Sequence, residues 1–369
     1  MGPSEHGRAP WKEMNAKSAI SAVWKTVVLT VFWGVVVLLA AVAGFVGWAR
    51  AGRGTFRPHH PGRVRFALCQ YGSRVGDLKW NFEHALAYAA EAVGRGADVV
   101  VLPEYSFTSA HDLRRGRAWV NLDEVPWMMG RLRDFARRHR CYLFANHGRT
   151  FGEHRQHHLN ETVLVGPDGE VAAAYQKRFM ALIDQRVNFG PGTNGAVIAE
   201  MPFADAGMLI CRDLSFPGEF SDAYGDADLL VAQFGNITHW GEEWAPRGLR
   251  VPTACATNDL PDLAEKWHAA LPKTMLMVNK TGVEDTFAYI GGSRVVGADG
   301  EVVALANSDE NILYVDFPLG EDGKIDTGSP TVPEEPSDRV EGGHARKFRT
   351  AVRRLEAMVP EPKQEDDGD

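Results

Sequence analysis

The chain has 369 residues, a formal net charge of −8 and 44% hydrophobic residues. That length fits one large α/β domain or two small ones. No basic run is interleaved with aromatics and no zinc-finger spacing occurs, which argues against a nucleic-acid partner. The four cysteines, Cys69, Cys141, Cys211 and Cys255, form no Cys-x-x-Cys pair and read as free thiols rather than a disulfide framework.

Residues 26–49 carry no charge and are mostly Val, Leu, Ala, Phe and Trp, bracketed by Lys25 and Arg50. At about 1.5 Å per residue this segment reaches about 36 Å, enough to cross a hydrocarbon core of about 30 Å. It is apolar on all sides, which a buried soluble helix is not. Its apolar run is also longer than the core of a signal peptide, although Ala41-Val42-Ala43 resembles a cleavage site. The expectation is a single-pass anchor. Its orientation stays open, because Arg8, Lys12, Lys17 and Lys25 precede it while Arg50, Arg53, Arg57, Arg63 and Arg65 follow.

Residues 50–62 are rich in Gly, Arg, Pro and His and read as a linker. Val64–Gln70 is a first strand. Asp77–Gly96 is a helix, with Phe82, Leu86, Ala89, Ala90 and Val93 at three- and four-residue steps. Asp98–Leu102 is an apolar strand of the kind buried on both faces. Pro126–Arg140 is a second helix, followed by a strand over Cys141–Asn146. Glu161–Val165 and Glu170–Tyr175 flank Gly166-Pro167-Asp168-Gly169, a hairpin signal. Ala206–Cys211 and Ala227–Ala232 are buried strands with a helix between them, and Met275–Asn279 is another. A second turn, Ala298-Asp299-Gly300, joins Gly292–Val296 to Glu301–Leu305. A catalytic domain over 63–320 follows from this pattern. Beyond it lies an extension, 321–369, with a basic amphipathic helix at Ala345–Met358 and an acidic, solvated tail.

Glu104, Lys177 and Cys211 each follow a strand, and in open α/β folds ligands bind beyond the carboxyl ends of strands. A thiol attacks a carbonyl or nitrile carbon as thiolate, so a base must take its proton; Glu104 is the candidate. The resulting oxyanion needs a cation and N–H donors, for which Lys177 and the backbone N–H of Arg212 are candidates. Asp213 is a candidate pocket residue or a cap for the turn after the nucleophile. His147, His154, His157 and His158 cluster in sequence and read as a solvated loop beside a strand rather than as a metal site.

The segments around these residues resemble the nitrilase, or carbon–nitrogen hydrolase, superfamily. Gly96-Ala97-Asp98-Val99-Val100-Val101-Leu102-Pro103-Glu104 is similar to the segment that carries the catalytic glutamate. Tyr175-Gln176-Lys177, after the Asp168-Gly169 turn, is similar to the lysine segment. Leu209-Ile210-Cys211-Arg212-Asp213-Leu214-Ser215-Phe216-Pro217 is similar to the cysteine segment. Phe189-Gly190-Pro191-Gly192, Val278-Asn279-Lys280-Thr281-Gly282 and Gly291-Gly292-Ser293 match further segments in order. The resemblance implies a four-layer α-β-β-α sandwich and homodimers paired through the helices beside the nucleophile. It further implies hydrolysis of a small-molecule amide without cofactor.

This chain departs from the family at two places. The family often has a second glutamate before the Pro-Gly loop, where Gln185 stands here with Asp184 beside it; Gln185 is the candidate to hold Lys177 or substrate by hydrogen bonds, without a charge. The stretch before Asn279, Trp267-His268-Ala269-Ala270-Leu271-Pro272, lacks the usual Arg-Ala-x-Glu pattern. Two other readings stay open. An N-acyltransferase uses the same Glu-Lys-Cys site beside a membrane, as apolipoprotein N-acyltransferases do with several spanning helices. A non-catalytic scaffold is the other.

Overall fold

A computed structural model describes residues 24, 27–38, 56–107, 125–151, 157–181, 184, 189–236, 260–284 and 287–333. The chain divides into two units, Met1–Arg57 and Pro58–Asp369. In the first, residues 27–38 are helical, with Val31, Phe32, Trp33, Val37 and Leu38 exposed. No helix among the described residues is long and apolar enough to cross a membrane. The rest of the predicted 26–49 span lies outside the described residues, as do Gln185, Cys255 and the helix expected at 345–358.

The second unit holds two six-stranded mixed sheets. The first uses β1 (Arg63–Gln70), β2 (Val99–Val101), β3 (Tyr142–Phe151), β4 (His157–Val165), β5 (Val171–Gln176) and β14 (Asn311–Pro318), in the order β14-β1-β2-β3-β4-β5. The second uses β6 (Ile198–Met201), β7 (Ala204–Ile210), β8 (Leu229–Phe234), β9 (Thr274–Asn279), β12 (Arg294–Val296) and β13 (Val302–Leu305), in the order β13-β12-β9-β8-β7-β6. A two-stranded hairpin, β10 (Thr281–Glu284) and β11 (Phe287–Ile290), stands apart. Strands β1, β2 and β3 run parallel in one sheet, and β7, β8 and β9 run parallel in the other. Each parallel trio therefore presents a set of carboxyl ends where side chains from different strands can meet.

Helix α1 (Leu78–Gly94) begins where the Asp77 side chain accepts the Trp80 N–H at 3.1 Å. It ends at Gly96, whose φ of 81° only glycine adopts without strain. Helix α2 is Val125–His139. Phe82, Ala85, Leu86 and Ala89 of α1 and Met128, Leu132 and Phe135 of α2 pack on Ala67, Cys69, Val100, Leu143 and Val163. These strand residues alternate with inward ones, as the two-residue strand period demands. Between the sheets Phe203 meets Phe66 and Tyr142 edge-on, with ring centroids 6.3 and 5.5 Å apart. Helix α3 (Leu260–Ala270) belongs to the second sheet's side. There buried Trp267 donates its indole N–H to Leu214 O at 2.9 Å. The altered segment around Trp267 thus supports the turn that follows Cys211.

Two expectations are corrected. Between β7 and β8 no α-helix forms. Short 3-10 turns, Cys211–Ser215 and Pro217–Glu219, take its place. Pro217 has no N–H to give and pushes Phe216 out of helical geometry, to φ −131° and ψ 55°. His147 and His158 do not lie in a solvated loop. The β3–β4 hairpin extends far enough to bury both, His147 with 5% and His158 with 8% of its surface exposed. Among the described residues no group of His, Cys, Asp or Glu is placed to hold a metal ion.

The β1–β14 pair carries a buried ion pair. Arg65 donates to both oxygens of Asp316, at 2.7 and 3.0 Å, and its third nitrogen donates to Arg95 O at 2.8 Å. Removing one partner strands a buried charge, whereas replacing both with apolar residues removes the desolvation cost as well. Asp316→Ala is therefore expected to lower unfolding free energy by about 3–5 kcal/mol. The Arg65→Met/Asp316→Leu double variant should lose much less. Urea denaturation of the two side by side checks this.

Candidate active site

Glu104 leaves β2 through Leu102-Pro103, and its backbone is stitched across to the other sheet. Its N–H donates to Phe234 O at 3.2 Å, and the Gly235 N–H returns to Glu104 Oε2 at 2.8 Å. Lys177 follows β5, with its N–H held by Asn160 O at 2.8 Å. Cys211 follows β7 directly and opens the 3-10 turn. The three residues come from the ends of three strands in two sheets, and the fold brings them together.

Lys177 is the centre of the cluster. Its ammonium lies 2.8 Å from Glu104 Oε1 and 2.8 Å from Asp184 Oδ2, with all three side chains buried to within 1%. Burial alone would lower the Lys177 pKa. The negative groups around it, Asp184 foremost, outweigh that and hold it well above the usual lysine range. An ammonium has three donors, so two are committed to the carboxylates and one remains.

Asp184 is the second carboxylate at Lys177, beside the position where Gln185 stands. It lies one residue earlier and supplies the carboxylate that Gln185 lacks. Its oxygens also accept the Tyr105 hydroxyl at 2.5 Å and the Ala181 N–H at 2.8 Å. Gln185 itself lies outside the described residues.

The Glu104 carboxylate is one of the charged groups that act on the Cys211 thiol. Burial, then the charge of Glu104, pushes that thiol well above its usual range, against a downward pull from Lys177. The resting group is a thiol. Cys211 has φ 47°, in the left-handed region that a non-glycine residue enters at a cost of about 1–3 kcal/mol. Tyr105, next to Glu104, is similar at φ 51°. The Arg212 guanidinium lies over the Phe216 ring, 5.6 Å from its centroid.

Asp213 is fully buried and fully engaged. Its two oxygens accept the Ile210 N–H at 3.1 Å, the Tyr175 hydroxyl at 2.7 Å, the Arg178 N–H at 3.1 Å and the Phe179 N–H at 2.8 Å. Burial pushes its carboxyl up to about 6 against the pull of those donors. Asp213 thereby ties the chain on both sides of Lys177 to the residue before Cys211. This is a clamp rather than a pocket wall.

Asn160, Asn146, Tyr105 and Gly235 join the site without having been singled out in the sequence. Asn160 donates to Glu104 Oε1 at 2.8 Å, and Asn146 donates to Asn160 Oδ1 at 2.7 Å. The available signal was a polar residue, Asn160, inside a strand otherwise rich in apolar residues; the predicted strand began one residue too late to include it.

The geometry agrees with the family comparisons. The sequence profile of the carbon-nitrogen hydrolase family matches residues 65–324. The glutamine-dependent NAD(+) synthetase of Thermotoga maritima is 27% identical over 308 residues, covering 77% of this chain but 48% of that protein. The chain thus spans about half the synthetase's length. Human omega-amidase NIT2 is 25% identical over 289 residues, covering 74% of this chain and 95% of that protein. Among solved structures, a mutant of the amidase from Nesterenkonia sp. AN1 is similar with a TM-score of 0.57 and 25% identity, over 70% of this chain and 92% of that one. In that structure the acetamide moiety of fluoroacetamide is covalently added at the active-site cysteine.

Two outcomes follow from the clamp and the burial. Asp213→Ala leaves three backbone N–H groups and a phenol unpaired. It should cost about 3 kcal/mol or more, visible as a lower melting temperature. For Cys211, the ultraviolet difference between wild type and Cys211→Ser should show no thiolate step below about pH 9. A step near neutral pH would mean a preformed thiolate.

With this site, this fold and a family match over most of its length, the chain belongs to the carbon-nitrogen hydrolase family.

Proposed function

We propose that the chain is an amidase that hydrolyses a small carboxamide through a thioester on Cys211. The observation that carries this reading is the buried Lys177–Glu104 ion pair, 2.8 Å between Nζ and Oε1, at the strand ends from which Cys211 also opens its turn. Amidases among both the sequence relatives and the structural neighbours favour amide over nitrile.

In this reading Cys211 Sγ attacks the carbonyl carbon while its proton moves to Glu104. The carbonyl oxygen gains the charge, and the remaining Lys177 donor and the Arg212 backbone N–H stabilise it. Collapse expels the nitrogen with the proton returned from Glu104. Glu104 then activates water against the thioester, releasing the acid. Gln185 and Asp213 need not touch substrate: Asp184 supplies the second carboxylate, and the Asp213 oxygens are engaged in the clamp.

The apolar segment 26–49 is proposed as a membrane anchor. The exposed Val31, Trp33, Val35 and Leu38 side chains are what a lipid-facing helix presents. That segment is also the one feature that favours N-acyl transfer as the second reading. Pairing of two copies into a homodimer remains a proposal from the family resemblance alone.

A panel of short aliphatic and dicarboxylic monoamides, read by ammonia release, tests the first reading. Wild type should release ammonia from at least one, and Cys211→Ala and Glu104→Gln should each fall by at least about a thousandfold. Transfer of the acyl group to an added lipid amine in preference to water would favour the second. For the anchor, the full chain should stay with membranes after an alkaline wash. Val31→Lys/Trp33→Lys/Val35→Lys should release it, and equal retention of the triple variant would sink the anchor.

A further inference from the structure

The Glu104 carboxylate is loaded unequally. Oε1 accepts Lys177 Nζ and Asn160 Nδ2, each at 2.8 Å. Oε2 accepts the Gly235 N–H at 2.8 Å. A carboxylate oxygen offers about two acceptor sites, so Oε1 is filled while Oε2 keeps one open. The thiol of Cys211, at the head of the turn after β7, is the further donor that the amidase reading brings to this carboxylate.

We propose that Glu104 Oε2 is the atom that takes the Cys211 proton, and that Asn160 is the positioning residue that enforces this by occupying Oε1. This rests on the amidase reading above. During attack the S–H bond breaks as the S–C bond forms. The proton goes to Oε2, and the carbonyl electron pair goes to the oxygen beside Lys177. On collapse the C–N bond breaks and the proton on Oε2 leaves with the nitrogen.

Asn160 is well placed for this role because its own amide cannot turn. Its Oδ1 accepts from Asn146 Nδ2 at 2.7 Å, so Nδ2 must face Glu104. The same Asn146 nitrogen reaches Thr162 Oγ1 at 3.1 Å, and Asn146 Oδ1 accepts the Tyr105 N–H at 2.7 Å. Thr162 donates to Gln233 Oε1 at 2.6 Å, and Gln233 donates to Leu102 O at 2.6 Å. This buried ladder runs from β3 and β4 through β8 back to the end of β2, which carries Glu104. A flipped Asn160 would set a carbonyl oxygen against the carboxylate and break the link to Asn146.

The charged and titratable groups facing Glu104 are Lys177 after β5 with Asp184 behind it, Cys211 after β7, Tyr105 beside it, and Tyr289 on β11. Burial keeps both phenols neutral. Losing a donor to a carboxylate favours its protonated form, so removing Asn160 should move the acid limb of the rate–pH profile upward.

The test uses the full-length chain with Asn160→Ala and Asn160→Ser. Two profiles are recorded against pH: kcat/KM for an amide, and the rate of Cys211 alkylation by iodoacetamide. Both acid limbs should rise by about one pH unit, with kcat down about tenfold and KM within about threefold. A folded variant whose acid limb stays put in both profiles overturns the proposal. If wild type turns over no amide, the amidase reading falls, while the alkylation profile still decides the role of Asn160. Should both variants fail to fold, the side-chain amide NMR signal of Asn160 in wild type decides instead. It should titrate along the alkylation acid limb and lose that titration in Glu104→Gln, and a pH-insensitive signal overturns the proposal.

Discussion

The site depends on one arrangement: a lysine ammonium sealed between two carboxylates. Lys177, Glu104 and Asp184 are each almost wholly buried. Stripping water from three such ions costs several kcal/mol per ion, and attraction offsets this only when the geometry is close and the remaining lone pairs are satisfied. Both conditions hold. The two contacts are 2.8 Å, and Asn160, Gly235, Tyr105 and Ala181 supply the further donors. The ends of β2, β5 and β8 must therefore arrive together. Under the proposed mechanism the triad also makes attack inexpensive in a low-dielectric interior. Negative charge leaves Glu104 as it receives the thiol proton and appears on the substrate oxygen, still beside Lys177. The total charge does not change, so only its position within reach of one cation does.

Backbone strain is concentrated at the same place. Cys211 and Tyr105 both sit in the left-handed region, and each is the residue where a buried strand end turns into the site. Neither conformation would persist alone. Asp213 fixes the first, by binding Ile210 on one side and Arg178 and Phe179 on the other. Asn146 fixes the second, by accepting the Tyr105 N–H. The clamp residues thus act on backbone geometry, and the ion triad acts on charge.

The legibility of these features follows their range. Strand positions were readable because Val99–Val101 and Leu229–Ala232 are continuous apolar runs. The turn at Gly169, with φ 78°, was readable from Asp168-Gly169 between two strands. Glu104, Lys177 and Cys211 were readable because each sits in a distinctive local segment after a strand. Asp184 was harder, since its contact with Lys177 comes from seven residues away and carries no local signature. Asn160 and Asn146 were harder still. They lie on paired strands and reach Glu104 across the sheet, which no local pattern encodes. The 3-10 turns after Cys211 were hidden by length, because a segment long enough for a helix is interrupted by Pro217 and drawn down by Trp267.

Gly235 shows how tightly the far wall of the site is drawn. A methyl group there would lie 3.3 Å from Glu104 Oε2, 3.4 Å from the Tyr289 ring and 3.8 Å from Tyr105. A side chain there would be tight against Oε2, which the Gly235 N–H reaches at 2.8 Å. The Tyr289 ring is held by a second buried ion pair. Lys280 donates to Glu284 at 2.5 Å, and the Tyr289 hydroxyl donates to the other Glu284 oxygen at 3.1 Å. The pair is neutral as a whole, so it adds little field at Glu104 compared with Lys177 and Asp184. Its effect is on shape: the β10–β11 hairpin sets the Tyr289 ring beside Gly235, the residue whose N–H holds Oε2.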